Sequence, residues 1–490
     1  MSPVTRWRSR STPTEPAQPA WHGITPIDAS GFLDLWVLST GTVPACHGNV
    51  VSSIEVKGRF SAGARMEKFR SKFVKKYVFA FVLLLLTGLA NAQTPVRISL
   101  EQAIDLALAH SHTLKAARTQ IQQNQAQEIT ASLRPNPTLL WDALFLPVFS
   151  PQNFTLDNMS NTQQFDMGVS YLLERGGKRH RRFDAARDAT GVTRYQVSDA
   201  ERVLIFNVAQ QFVGAQLAQS VLDFARKALD SFEQTVRISE YRYKAGDISE
   251  GDLLKIKLQL LQFQTDVAGA EVAKVQALAS LRQLLGYDAV PADYQVEGEL
   301  SYQPLSVNLD DLRLRALNLR PDLLAAQQST RAAQSQIALA KANAKVDLTT
   351  TLSYSHVSDL SSLSASFSIP IPIFDRNQGE IARTRFALTQ SQENAQAASG
   401  AVLTDVRNNY EAFSTNQKIV QLYLSGYLKQ AQDSRDISEY AYKRGAASLL
   451  DFLDAERSYR STQLSYRQAL ATYLLSIEQL KEVVGTRTLP

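Results

Sequence analysis

Cysteine, proline and catalytic signatures are scarce in this chain, and each scarcity excludes a class of protein. The only cysteine, Cys46, lies upstream of a predicted signal-peptide cleavage site, so the predicted mature chain has no thiol for a disulfide, a thiolate metal site or a cysteine nucleophile. The sequence has no nucleophile with a placed base, no phosphate-binding loop and no cofactor motif. It also has no cluster of His, Met or carboxylates with metal-site spacing. We therefore expect a protein that is not an enzyme and that has no cofactor and no metal site.

Charge of one sign is also scarce once the N-terminal region is set aside. The whole chain carries a formal charge of +5, which by itself favours nucleic acid or an anionic membrane as a partner. Residues 1–92, however, hold eleven Lys or Arg against five Asp or Glu, so the remaining residues hold 41 basic and 42 acidic side chains. Because the mature body is nearly neutral, we expect no nucleic-acid partner.

The source of the N-terminal charge is a segment that begins at Met66 and has the three parts of a secretory signal. Basic residues precede an apolar run from Tyr77 to Leu86, and the sequence Ala-Asn-Ala at 90–92 supplies the pattern read by signal peptidase. We predict a signal peptide at residues 66–92 and interpret residues 1–65 as an N-terminal extension upstream of the true start. The alternative is a membrane anchor, although the run is shorter than the roughly 20 residues that span a bilayer.

Two long segments of the chain occur twice. The segment ISEYRYKAGDISEGDLL at 238–254 matches ISEYAYKRGAASLLDFL at 437–453 in ten of seventeen positions, with an offset of 199. Residues 98–117 match residues 307–326 with an offset of 209. These matches predict two repeats, at 93–300 and 301–490, whose period is far longer than the ~20–50 residues of solenoid repeats.

Proline is absent from two stretches where we expect long helices. No proline lies between Pro151 and Pro291 or between Pro372 and Pro490, and this absence permits long helices because proline interrupts helical hydrogen bonding. Apolar residues spaced alternately by three and four, as in a coiled coil, support the same prediction for the segment 222–236. We predict antiparallel hairpins with helices at about 178–244 and 249–285 in the first repeat, and at about 378–443 and 448–484 in the second.

Four other segments are predicted strands; three of them alternate apolar and small polar residues with a period of two, the spacing of β-strands, and TLLWDALFLP is less regular. They are TLLWDALFLP from Thr138, QQFDMGVSYL from Gln163, VDLTTTLSYSHV from Val346 and SSLSASFSIPIPIF from Ser361. Strands of about 9–11 residues with one apolar face are typical of transmembrane β-barrels, and the alternative is a soluble sheet of two hairpins packed on the helices. Because four strands are too few to close a barrel, the membrane interpretation requires an oligomer.

From Ile98 to Gly485, the chain resembles the TolC-like outer-membrane efflux factors. The resemblance rests on the duplicated halves, the two-strand insertions, and the motifs SLEQAIDLAL, ERGGKR, IPIFDRNQGE and the paired YK-x-G-x-x-S bends. ERGGKR is similar to the CzcC-like branch, which works with heavy-metal efflux pumps. The resemblance implies a mixed fold and a homotrimer. Each protomer would add four transmembrane β-strands to a twelve-stranded outer-membrane β-barrel, and the helices would form a hollow α-barrel in the periplasm.

Each bend between paired helices has the form Gly-x-x-Ser, with Gly246 and Ser249 in the first repeat and Gly445 and Ser448 in the second. Glycine readily takes the left-handed conformation that ends a helix, and serine caps the helix that follows. This structural role is enough to explain the motif. The resemblance implies that these residues also form periplasmic tips that contact a membrane-fusion adaptor protein.

Carboxylates follow both bends. Asp451 and Asp454 lie three residues apart, on one face of the predicted helix, and resemble the acidic pair that rings the closed periplasmic entrance of these channels; a solvated helix face is the alternative. Asp252 is the corresponding residue of the first repeat, and Tyr442 resembles a tyrosine that latches neighbouring helices. Ala447 stands where the family has a latch arginine, so we expect a weaker or differently built latch.

The basic run RGGKRHRR at 175–182 lies where a predicted strand becomes a helix. Two interpretations stand for this run, namely contact with anionic lipid headgroups of the outer membrane or a solvated junction.

The resemblance implies the passive exit duct of a tripartite efflux system, located in the bacterial outer membrane with a long periplasmic extension. Its partners would be a periplasmic adaptor, a proton-driven inner-membrane pump and outer-membrane lipid, and its substrates would be heavy-metal cations. The alternatives are a duct for drugs or secreted polypeptides, and a periplasmic coiled-coil scaffold without a pore.

Overall fold

The first repeat combines a sheet insertion with the first long helical hairpin. A computed structural model describes residues 96–144, 148–158 and 164–489 of the protein, so the predicted signal peptide and N-terminal extension lie outside the described residues. Ser99 caps the first helix in a capping box with Gln102. The elements of this repeat are β1 (Arg97–Ile98), α1 (Leu100–His110), α2 (His112–Ser132), β2 (Thr138–Leu144), β3 (Gln164–Leu173), α3 (Lys178–Lys244) and α4 (Glu250–Leu285).

The second repeat follows the same order. Asn308 caps its first helix, and Pro321 opens the next one, where its missing N–H costs no hydrogen bond. Strand β1 pairs in parallel with β4 (Gln295–Val296), a short strand that follows α4, so the start of the first repeat lies beside its end. The elements of the second repeat are α5 (Leu309–Leu319), α6 (Pro321–Asn343), β5 (Leu348–Val357), β6 (Leu360–Ser368), α7 (Gln378–Leu422), α8 (Leu428–Lys443) and α9 (Leu449–Val484).

The long helices confirm three of the four helix predictions and correct the fourth. Helix α3 runs unbroken for 67 residues, roughly 100 Å at ~1.5 Å per residue. The prediction of one helix over 378–443 was wrong, because a π turn at Tyr423–Tyr427 separates α7 from α8. Within that turn, Gly426 has φ of 137° and ψ of −21°, a conformation available to glycine but costly for residues with a Cβ.

The four-stranded sheet has the order β2-β3-β5-β6, with every neighbouring pair antiparallel. Its register confirms the predicted alternation in β3, β5 and β6, whereas β2 is less regular. One transverse row reads Leu139, Val169, Leu352 and Ala365, and the next row on the same face reads Trp141, Met167, Tyr354 and Leu363. The row Asp142, Asp166, Ser355 and Ser362 lies on the opposite face, which is mainly polar but also carries Leu140 and Leu144 of β2.

The apolar side of this sheet is open to solvent in the protomer. All nine residues of β6 are exposed, and Trp141 and Leu363 are each 73% exposed. This exposure disfavours the alternative of a soluble sheet packed on the helices. The strand predicted to run through IPIPIF ends instead at Ser368, because Pro370 and Pro372 have no N–H to donate to a neighbouring strand.

The buried side chains form separate clusters along the hairpins. One cluster joins β1 and α1 to the hairpin α3–α4, a second joins α5 to α7 and α9, and a third lies near the bends. Since each cluster lies between helices, the long hairpins are stabilised at intervals along their length by burial of apolar area. None of the helices in the described part of the chain combines the length and the hydropathy needed to cross a bilayer.

Candidate functional site: the bends of the two hairpins

Both bends close with the same backbone motif. Gly246 has φ of 84° and Gly445 has φ of 75°, so each glycine takes the left-handed conformation that ends a helix. In the first bend the Asp247 N–H donates to the Arg242 carbonyl at 2.8 Å, and in the second the Ala446 N–H donates to the Ala441 carbonyl at 2.8 Å. These bonds span six residues and form Schellman motifs, so the sequence similarity of the bends is also a similarity of geometry.

The serine of each bend caps the returning helix. Ser249 Oγ accepts a hydrogen bond from the Asp252 N–H at 3.1 Å, and Ser448 Oγ accepts one from the Asp451 N–H at 3.2 Å. Each aspartate carboxylate in turn accepts a hydrogen bond from the serine hydroxyl, at 2.9 Å in the first bend and 2.7 Å in the second. Asp252 and Asp451 therefore stabilise the first turns of α4 and α9.

The carboxylates near the two bends differ in how they are neutralised. Lys255 Nζ lies 3.4 Å from Asp252 Oδ1, so the first bend holds its aspartate in an ion pair. Asp454, one turn beyond the second bend, is exposed, and no basic side chain in the described residues lies within ion-pair distance of it. Asp454 therefore keeps an unpaired negative charge, whereas Asp252 of the first hairpin is neutralised by Lys255.

Tyr442 is held by residues of the first hairpin. Its ring is 3% exposed, stacks on Phe452 with centroids 5.4 Å apart, and its hydroxyl lies 3.3 Å from Ser239 Oγ. Arg242 donates from Nη1 to the Tyr442 carbonyl at 2.7 Å, and its guanidinium carbon lies 5.3 Å from the centre of the tyrosine ring. The structure thus brings the two bends together within one protomer.

Sequence reasoning missed Arg242, although the repeat contains a signal for it. In the matched segments ISEYRYK and ISEYAYK, Arg242 in the first repeat corresponds to Ala441 in the second, the one difference within seven residues. Ala447, which stands where the resemblance implies a family arginine, cannot supply the missing cation. An arginine does lie beside Tyr442, but it comes from the other hairpin.

A cluster of aromatic side chains packs between the helices next to the two bends. Phe232 of α3 stacks on Phe263 of α4 at 4.4 Å and lies 6.3 Å from Phe452 of α9, with the planes nearly parallel in both pairs. Ile256 is fully buried in the same cluster. Because α3, α4, α8 and α9 all contribute side chains, a movement of one bend requires repacking against the other hairpin.

Next to this cluster lies a group of partly buried charges on α8 and α9. Arg435 lies 2.8 Å from Glu439 and 3.4 Å from Glu456. Burial raises the pKa of Glu456 above its ordinary value, although the charge of Arg435 opposes the shift. Burial alone would also raise the pKa of Glu439, but the hydrogen bond and charge of Lys443, together with Arg435, leave that pKa below its ordinary value.

Seven of the eight predicted site residues thus fall into three groups, and Asp454 lies outside them. Gly246, Ser249, Gly445 and Ser448 form the bends, Asp252 and Asp451 cap the returning helices, and Tyr442 joins the hairpins. Asp454 shares a helical face with Asp451 but has no structural task of its own. In the described part of the chain, no group of three His, Cys, Asp or Glu residues is placed to hold a metal ion.

Comparisons with known proteins match both repeats. A family model described as outer membrane efflux protein matches residues 103–287 and 312–486. The chain is 30% identical over 321 residues to the probable outer membrane lipoprotein SilC of Salmonella typhimurium, covering 62% of this chain and 68% of SilC. It is 22% identical over 390 residues to the cobalt-zinc-cadmium resistance protein CzcC of Cupriavidus metallidurans, covering 79% of this chain and 90% of CzcC.

Solved structures share the fold. A membrane protein from Pseudomonas aeruginosa superposes with a TM-score of 0.67 at 20% identity, covering 79% of this chain and 92% of that protein. Crystal structures of CusC, described as a transmembrane channel, superpose with a TM-score of 0.66 at 21% identity, covering 81% of this chain and 96% of CusC. The duplicated hairpins with a sheet insertion are therefore an architecture found in outer membrane channels.

Proposed function

Because the chain belongs to the outer membrane efflux protein family, we propose that it is the exit duct of a tripartite efflux system for heavy-metal cations. An inner-membrane pump, proton-driven, supplies the energy, and a periplasmic adaptor joins the pump to the duct. The substrate class is supported by the relatives, which include a cobalt-zinc-cadmium resistance protein and a cation efflux system protein. The duct conducts passively, so its own residues form a path and a gate without binding the metal tightly.

A homotrimer with a twelve-stranded barrel is the assembly that we propose. Strands β2 and β6 are the edges of the four-stranded sheet, and in a bilayer their unpaired backbone groups cost several kcal/mol each, by order of magnitude. Pairing β6 of one protomer with β2 of the next satisfies these groups, and three protomers close the sheet. The apolar face then meets lipid, and the polar face with Asp142 and Asp166 lines the channel.

The observation that carries the proposal is the combination of two parts in one chain. The exposed apolar face of the sheet supports a position in a membrane among neighbouring copies, and the 67 residues of helix α3 extend roughly 100 Å from the sheet insertion. This length is what a duct needs to leave the outer membrane and reach across the periplasm. The bends, at the opposite end of the hairpins from the sheet, are then the periplasmic tips that the adaptor contacts through Gly246, Ser249, Gly445 and Ser448.

The gate in this proposal lies at the second bend. Three copies of Asp451 and Asp454 form stacked acidic rings at the periplasmic entrance, which favour cations in a narrow, poorly screened passage. Asp252 contributes less because Lys255 neutralises it. Tyr442 holds the second bend against the first hairpin, and adaptor binding opens the entrance by releasing that contact.

Conductance across a planar bilayer tests the proposal. We expect the purified protein to form small cation-selective pores, and Asp454→Asn to lower the selectivity without changing assembly. Absence of any current from correctly assembled protein would overturn the duct in favour of a scaffold. In cells, deletion of the gene together with its partners should raise sensitivity to heavy-metal cations. Unchanged metal sensitivity with impaired export of a polypeptide or a drug would contradict the proposed substrate class, but not the proposal that the protein is a duct.

A further inference from the structure

The four connections between the sheet and the helices all lie at one end of the sheet. The strand register pairs Leu173 with Leu348 and Thr349 with Ser368, so β3 ends where β5 begins and β5 begins where β6 ends. Thr138, the first residue of β2, pairs with Ser170 near the same end. Every transition from helix to strand, or from strand to helix, therefore falls at the same level of the molecule.

Each of these transitions carries an exposed basic residue. Arg134 lies between α2 and β2, Arg175 between β3 and α3, Lys345 between α6 and β5, and Arg376 between β6 and α7. No carboxylate oxygen in the described part of the chain lies within ion-pair distance of these four side chains. We call this set of four residues the junction belt.

The surrounding charge supports a role for the belt. Residues 129–138, 174–184, 341–347 and 369–385 hold eleven Lys or Arg against five Asp or Glu, a net charge of +6. Several of the acidic residues among them form ion pairs, for example Asp347 with Lys178 at 2.7 Å and Glu380 with Arg383 at 2.6 Å. Because residues 93–490 together hold slightly more acidic than basic side chains, the positive charge is concentrated at this level.

Large apolar side chains are exposed beside the belt. Between β6 and α7, Ile371 is 80% exposed and Phe374 is 89% exposed in the protomer. An apolar surface next to a positively charged one matches the boundary of a bilayer, where hydrocarbon gives way to headgroups, and long basic side chains place their charge in the headgroup layer.

We propose that the junction belt binds the phosphate groups of anionic phospholipids in the periplasmic leaflet of the outer membrane. This inference rests on the proposed function, since the helices must extend into the periplasm for the belt to lie at that leaflet. Three protomers provide twelve such basic residues around the barrel. The belt fixes the depth at which the barrel sits, because moving it in either direction takes the charges away from the phosphates or into hydrocarbon.

The test compares lipid enrichment around the full-length protein and two matched variants. One variant carries Arg134→Gln, Arg175→Gln, Lys345→Gln and Arg376→Gln; the other removes the same charge from exposed basic residues of the long helices, with Lys227→Gln, Arg407→Gln, Lys418→Gln and Lys429→Gln. Each is reconstituted in vesicles of equal phosphatidylglycerol and phosphatidylcholine, re-extracted, and the bound lipids are counted by mass spectrometry. We expect the wild type and the helix variant to enrich phosphatidylglycerol about fivefold, and the belt variant to show no enrichment.

Several outcomes would contradict the proposal that the junction belt binds phospholipid phosphates. These are equal enrichment by the belt variant and the helix variant, no enrichment by the wild type, or a stronger enrichment of lipopolysaccharide than of phosphatidylglycerol when both are supplied. The paired variant Lys345→Gln/Arg376→Gln, with an expected intermediate enrichment, serves if the fourfold variant does not assemble. Currents recorded from the same samples separate the two proposals. If the wild type conducts ions but does not enrich phosphatidylglycerol, the proposed lipid binding by the junction belt is wrong and the proposed duct stands. If it enriches phosphatidylglycerol but does not conduct, the proposed duct is wrong.

Discussion

Arg242 of the first hairpin donates a hydrogen bond of 2.7 Å to the carbonyl of Tyr442 in the second. The same carbonyl accepts the Gly445 N–H at 3.0 Å, so both of its lone pairs are used. Tyr442 lies in the last turn of α8, where carbonyl groups carry the negative end of the helix dipole and favour a cation. This charge-assisted contact is the most direct link between the two bends of a protomer.

Replacing Arg242 should loosen the second bend. We expect Arg242→Gln to cost about 1.5–3 kcal/mol locally, because the bond involves a charged donor. The segment 437–445 should exchange its amide hydrogens faster, and the pore should open more often in a bilayer. Arg444→Gln is the matched comparison, since Arg444 lies near the same bend and contacts the exposed Tyr440. Equal effects of the two substitutions would mean that loss of charge, and not the Tyr442 contact, is responsible.

The carboxylates of the two bends should differ in their effect on ion selectivity. Asp454 has no basic partner among the described residues, whereas Asp252 is paired with Lys255. We expect Asp454→Asn to lower the ratio of cation to anion permeability by about half or more, and Asp252→Asn to change it little. Reversal potentials in a salt gradient measure this ratio. A larger effect of Asp252→Asn would place the selective ring at the first bend.

The capping serines predict a local loss of stability without a change of charge. Ser448→Ala removes the bond to the Asp451 N–H and should cost about 1 kcal/mol, which raises hydrogen exchange in residues 449–453 about fivefold. Ser448→Thr keeps the hydroxyl and should restore most of the protection. If both substitutions leave exchange unchanged, the bend is stabilised by the Schellman motif of Gly445 and Ala446 alone.

Two neighbouring glutamates should respond to pH with opposite signs. The folded pKa of Glu456 is raised, so its contribution to stability is present below the unfolded pKa and is lost as pH rises through the folded pKa. The folded pKa of Glu439 is lowered, so its contribution is present above the unfolded pKa and is lost as pH falls through the folded pKa.

These signs lead to a paired measurement by thermal unfolding. At about pH 8, Glu456→Gln should be more stable than the wild type by on the order of 1 kcal/mol, and Glu439→Gln should be less stable. Both differences should shrink as the pH approaches about 4. A destabilising Glu456→Gln at about pH 8 would show that its pairing with Arg435 outweighs the cost of burial.

Much of this architecture follows from local patterns in the sequence. The absence of proline and the apolar spacing place α3 at residues 178–244, and alternation with a period of two places the strands, because helical and strand periodicities are properties of neighbouring residues. The Gly-x-x-Ser segments likewise predict the bends, since glycine and serine act there within a few residues of their own position.

The features that sequence reasoning missed depend on contacts between distant segments, or on two opposing structural preferences within a single segment. Arg242 gains its significance from Tyr442, 200 residues away, and no spacing rule connects them. Strand β6 ends at Ser368 although the alternation of apolar and polar residues continues, because Pro370 has no N–H to donate to a neighbouring strand. The π turn at Tyr423–Tyr427 requires knowing that one glycine adopts φ of 137°, which the surrounding helical sequence does not indicate.

That π turn also changes what the duplication produces. A π turn accommodates one residue more than an α turn, so it rotates the side chains beyond it by about 100° relative to an unbroken helix. Tyr243 and Tyr442 occupy equivalent positions of the repeated segment, yet Tyr243 is 39% exposed and Tyr442 is 3% exposed. A change of helical phase in one copy thus accompanies the burial of one tyrosine of the inherited segment, while the equivalent residues Tyr241 and Tyr440 remain exposed in both copies.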